Sequence, residues 1–361
     1  MIDPHVHLRD WDQKNKETVL HGLNVAYKAG CDAIFEMPNT SPALTTRKTI
    51  EDRIKLGDKA IGKLDKKIFH GIYAGITSDP EQIKEVVEAY NEHFPRVVGL
   101  KMFSGHSTGN MGLVSEREQG LVYHTLAELG YEGVLVNHCE KEGLIRQNLW
   151  DPNNPITHTI ARPPEAEVQS VRDQIRLADA KNYKGTLHIA HLSVPDSYLE
   201  IEKARQHVNF RISCEVAPHH AMLYDKLMNN EQGLLLKMNP PLRPREMQEK
   251  ILSLLLEGEI DYIGTDHAPH TLGEKMGENA ASGIPGLPNF PAFVNALAEK
   301  GLSENEIDKY THDNIIDIFN MPEGTIPNTH RGLKLSKNKL DELSKEYDFN
   351  PFKTDSQSPN S

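Results

Sequence analysis

Cysteine is scarce in this 361-residue chain: Cys31, Cys139 and Cys214 are too few and too scattered for a disulfide framework, so reduced thiols in a core are expected. No apolar run approaches the roughly 20 residues that span a bilayer. The N-terminus lacks both the basic start and the apolar stretch of a secretion signal. Basic clusters are missing as well. With a formal net charge of -12 the chain has little to neutralise phosphates, which argues against nucleic acid and anionic membranes as partners. No internal repeat is visible. What remains reads as a cytoplasmic, globular chain whose 38% hydrophobic residues can bury a real core.

Histidine, by contrast, is abundant, with 18 residues, several of them at the ends of apolar segments. The chain opens "MIDPHVHLRD". In an extended strand side chains alternate between faces, so His5 and His7 point the same way and Arg9 follows on that face. Paired imidazoles suit a metal ion and a guanidinium suits a carboxylate. Taken alone, the stretch would also suit a polar N-terminal arm.

Eight short aliphatic and β-branched runs alternate with segments of helical periodicity, such as "DPEQIKEVVEAYNEHF", where Asp79 can cap the start and Pro80 occupy the first turn. The alternation spans most of residues 1–320 and predicts an α/β fold, a (β/α)8 TIM barrel. Lys101, His138, His191 and Asp266 fall at or near the C-terminal ends of their runs, and in such a barrel those ends converge on the face that carries active sites. Any one of them could be a hydrogen-bonded core residue. Together they predict a metal site at the barrel mouth. Residues 1–330 are expected to form the barrel, and the polar 331–361 a tail that is partly disordered.

The ordered set "DPHVHLRD", "EMPNTSP", "GLKMF", "VNHCE", "HIAHLS", "ISCEVAPHH", "KMNPPLR" and "TDHAPH" resembles the dihydroorotase family of cyclic amidohydrolases, over about residues 1–290. The resemblance implies two zinc ions per chain. His5 and His7 would bind the first with Asp266, His138 and His191 the second, and a carboxylated Lys101 would bridge both. The physical reason for the carboxylation is that an ammonium cannot ligate a cation, whereas its carbamate can. A metal-bridging hydroxide would attack the ring amide of dihydroorotate, with Asp266 as general base and then acid. The reverse reaction closes N-carbamoyl-L-aspartate in de novo pyrimidine biosynthesis.

By motif position, Arg9, Asn39 and His270 would clamp the substrate carboxylate, and Asn239 would lie near the ring. Asn39 also suits a turn beside Pro38, and Asn239 a rigid proline turn. Ser107 or Thr108, in the Gly- and Ser-rich "SGHSTGN", would contact substrate from a closing loop. The small β domain that flanks many relatives' barrels is expected to be absent or minimal. Two alternatives share much of this pattern: another cyclic amidase of the hydantoinase or allantoinase kind, and an inactive homologue that scaffolds aspartate transcarbamoylase. A homo-oligomer, and association of an active enzyme with that same partner, are compatible with the resemblance.

Overall fold

The aliphatic runs form eight strands in the computed structural model, which describes residues 1–106, 111–277, 279–330 and 334–352. They are β1 (Ile2–Val6), β2 (Ala33–Glu36), β3 (Phe69–Gly75), β4 (Val97–Ser104), β5 (Val134–Cys139), β6 (Thr186–Ile189), β7 (Arg211–Val216) and β8 (Tyr262–Ile263). Every strand pairs in parallel with the next in the chain, the order of a (β/α)8 barrel. Seven lie inside the aliphatic runs that the sequence marks, and β4 continues one residue past "RVVGLKMF", to Ser104.

β8 is two residues long, so the ring closes mainly through the segment after it. The Asp3 carboxylate accepts from the Thr265 amide at 3.0 Å and the Thr265 hydroxyl at 2.6 Å, and Val6 pairs in parallel with His267. The loop that carries Asp266 is thereby tied to the strand that carries His5.

Helices between the strands start where side chains satisfy their open amides. Asp79 accepts from the Glu81 amide with Pro80 in the first turn, as expected, and Thr46, Ser115 and Ser303 each close a capping box. The main apolar core lies between strands and helices, as in Ile34, Leu100 and Leu187 against Leu23, Val86 and Val122. A second cluster fills the barrel, where Phe35, Tyr73 and Tyr262 meet Phe319 after the helix Asn314–Ile318. Among the described residues, no helix is long and apolar enough to cross a membrane.

Residues 334–352 pack on the barrel despite their polar composition. A short helix, Lys337–Leu343, leads into a segment whose Leu343 and Phe349 are buried, and Phe349 joins the apolar cluster built from Leu223, Leu227 and Leu236.

Candidate active site

At the C-terminal ends of the strands a cavity is lined by His5, His7, Arg9, Asn39, Lys101, His138, His191, Asn239 and Asp266. Nine sequence-predicted residues therefore meet at one place, though they come from segments spread over more than 250 positions. His5 and Lys101 lie within β1 and β4, and His138 within β5. His7, His191 and Asp266 lie just beyond their strands. The backbones of His191 (φ 36°) and Asp266 (φ 48°) adopt the left-handed conformation, which side-chain-bearing residues rarely take and which here turns both side chains over the mouth.

Two groups of donor atoms stand apart. In the first, the Asp266 Oδ1 lies 2.9 Å from His7 Nε2 and 3.4 Å from His5 Nε2, and His5, His7 and Asp266 all place a ligand atom within 4.8 Å of one another. In the second, His138 Nδ1 faces His191 Nε2 at 3.1 Å. Two nitrogens on one tetrahedral zinc stand roughly 3.3 Å apart for Zn–N bonds of about 2.0–2.1 Å. Lys101 Nζ and His191 Nδ1 are buried without hydrogen-bond partners among the described residues. An orphaned amine amid histidines and a carboxylate is the arrangement that a carbamate shared between two cations would satisfy. The residues fit a two-metal centre.

Further residues orient these side chains, and sequence reasoning gave them no such task. His5 Nδ1–H donates to Glu215, which also accepts from the His191 amide at 3.1 Å. His138 Nε2–H donates to Glu140 at 3.0 Å, and Arg162 grips that carboxylate through Nε and its terminal nitrogen. His7 Nδ1–H donates to Asn39 Oδ1 at 2.7 Å. Each bond fixes a tautomer and leaves the other ring nitrogen with its lone pair toward the cavity. The readable signal for Glu140 was its spacing: two residues after His138 it sits on the same strand face. For Glu215 it was the single acid in the run "NFRISCEVAPHH".

The electrostatics suit a cation. Burial alone would raise the Asp266 carboxyl, but the adjacent His7 and His5 hold it well below the usual carboxylate range. Burial lowers the His7 imidazole to about 4 against the pull of Asp266, so the ring is neutral at physiological pH. Burial likewise brings the Lys101 ammonium down to about 8, with Glu215 and Asp266 opposing.

The residues expected to clamp a carboxylate are arranged in layers. Arg9 is buried and lines the cavity, its Nε donating to the Pro269 carbonyl at 3.1 Å. His270 stands behind it, 3.2 Å from an Arg9 terminal nitrogen and outside the cavity lining. Burial, then Arg9 and Lys16, press His270 down to about 2 and keep it neutral. Asn239 lines the cavity and accepts from His158 Nε2 at 3.0 Å. Ser107 and Thr108 lie outside the described residues. Cys139 packs in the outer core, as its position beside His138 on a strand implies.

No family model matches the sequence. Among curated proteins the chain is 31% identical over 332 residues to a dihydroorotase of Methanosphaera stadtmanae, covering 89% of this chain and 71% of that one. It is 33% identical over 320 residues to a dihydroorotase of Thermococcus kodakarensis, covering 88% and 68%. Among solved structures, L-hydantoinase from Arthrobacter aurescens superposes with a TM-score of 0.76 at 24% identity, covering 88% of this chain and 70% of that one. Dihydroorotase from Saccharomyces cerevisiae in complex with 5-fluoroorotic acid gives 0.72 at 17%, covering 90% and 85%. At these identities the structural matches speak to the barrel fold.

Proposed function

This chain belongs to the dihydroorotase family, and from that premise we propose that it interconverts N-carbamoyl-L-aspartate and L-dihydroorotate in a zinc-dependent reaction of de novo pyrimidine synthesis. The observation that carries the reading is the convergence of Arg9 with both histidine pairs, Lys101 and Asp266 on one cavity. A metal centre alone would serve any cyclic amide. A buried guanidinium beside it selects one that bears a carboxylate.

His5, His7 and Asp266 would hold one zinc ion, His138 and His191 the other, with carboxylated Lys101 between them. Two zinc ions supply Lewis acidity and bring the ionisation of a water into the neutral range. The chain's own residues do the rest. Arg9 orients the substrate carboxylate with Asn39 lining the same cavity, and His270 steadies Arg9 from behind. Asp266, ionised in the free protein, accepts a proton as the ring carbonyl is attacked and returns it to the departing ring nitrogen. In cyclisation the same carboxylate works in the opposite order. The three cysteines are free and buried, which accords with a reducing, cytoplasmic setting.

The test is a pair of substrates that differ only in the carboxylate, L-dihydroorotate and 5,6-dihydrouracil. Hydrolysis confined to the first is the expected result. Preference for the second would overturn the assignment in favour of a hydantoinase-like amidase.

A further inference from the structure

Behind the cavity the C-terminal segment reaches a buried cluster that the proposed reaction does not use. Glu17, from the loop after β1, and His267, next to Asp266, are both buried, with Glu17 Oε1 3.4 Å from His267 Nε2. The Tyr347 hydroxyl closes the triangle: it donates to Glu17 and lies 3.1 Å from His267 Nε2. The hydrogen-bond directions agree. The Leu287 amide donates to His267 Nδ1 at 3.3 Å, so Nε2 carries the proton, and the Tyr347 oxygen accepts it while its own hydrogen goes to Glu17.

His267 is in turn built into the metal half-site through its backbone. Its carbonyl accepts from the His7 amide at 2.6 Å, its amide donates to the Thr265 hydroxyl at 3.2 Å, and Val6 pairs with it across the closing seam. Its neighbour Asp266 holds a left-handed backbone, which persists only where its surroundings fix it. Burial would raise the Glu17 carboxyl, but His267, His21 and Tyr347 hold it at about 2, so the cluster contains a permanent anion.

We propose that Tyr347 is a positioning residue: by locking the Glu17–His267 pair it sets the geometry of the His5–His7–Asp266 metal site, which makes residues 334–352 a working part of the active centre. The segment is anchored independently of that hydroxyl, by the Lys28–Glu346 ion pair at 2.6 Å and by buried Leu343 and Phe349. Removing the hydroxyl should therefore leave the segment docked.

The inference rests on the zinc reading above, and the test separates the two. Zinc affinity is measured by competition with a chelator for the full chain, for Tyr347→Phe, and for Lys28→Met as a control that loosens the same segment elsewhere. Outer partners of metal ligands typically govern affinity by 10- to 100-fold. Tyr347→Phe should bind zinc about tenfold more weakly, and at saturating zinc should show a lowered kcat with an unchanged KM, while Lys28→Met matches the parent. If Tyr347→Phe does not fold, Glu17→Gln takes its place with the same expected loss. A parent that binds zinc and a Tyr347→Phe variant indistinguishable from it would overturn the inference alone. A parent that binds no zinc would overturn the zinc reading and this inference with it.

Discussion

Arg9 and Lys101 are both buried cations at one cavity, yet their proposed tasks need opposite protonation behaviour. Burial lowers Arg9 only to about 10, with Glu17 and Asp266 opposing, so it stays charged to meet a carboxylate. Lysine in its place would keep the charge and lose the planar fork. A charge-assisted bond is worth about 1.5–3 kcal/mol. Arg9→Lys should therefore raise KM for dihydroorotate roughly 10- to 100-fold, with kcat changed less; an unchanged KM would remove Arg9 from the clamp. In the proposed centre Lys101 would instead have to lose its proton to react with carbon dioxide. With its ammonium lowered to about 8, roughly a tenth is neutral amine at pH 7 and most of it at pH 9. The sign follows: reconstitution of apoprotein with zinc and bicarbonate should quicken as pH rises from 7 to 9. A flat rate across that range would contradict a free-amine route. The residues that meet at the cavity were legible because each combines a rare residue type with a strand end. Tyr347 was not, because what makes it matter is a partner 80 positions away and no local pattern reports it, and the acid at Glu215 stands out in its run without naming its partner 210 positions away.

At the scale of the elements, the strands were legible because a buried parallel strand leaves a short, dense aliphatic run between polar helices. β8 was the least regular, and the reason is physical. Its two residues cannot close a barrel by ladder bonds alone, so the side chain of Asp3 takes over. Thr265→Val deletes the hydroxyl that donates to Asp3 and accepts from the His267 amide. Leaving such buried groups unmatched costs about 1–3 kcal/mol, and the urea midpoint should fall accordingly. A midpoint at the parental value would show that the seam holds without this bridge. The C-terminal segment misleads in composition for a related reason: a few anchors, Leu343, Tyr347 and Phe349, hold it among many exposed polar residues.

For the whole molecule, the proposed metal centre would join β1, β4, β5, β6 and β8, and thus both sides of the seam where the barrel closes. Metal binding energy is then folding energy. Chelation verified by metal analysis should lower the melting temperature by several degrees, since each 1 kcal/mol moves a chain of this size by about 1–1.5 °C and bound zinc contributes several kcal/mol. An unchanged melting temperature would mean that the ring is set without its ions. The most direct trial of the central claim is hydrolysis of L-dihydroorotate by the purified chain, followed by loss of ultraviolet absorbance, with metal counted in the same sample. The prediction is turnover with about two zinc ions per chain, abolished by chelation and restored by zinc with bicarbonate. A chain fully loaded with metal that leaves dihydroorotate untouched would contradict it.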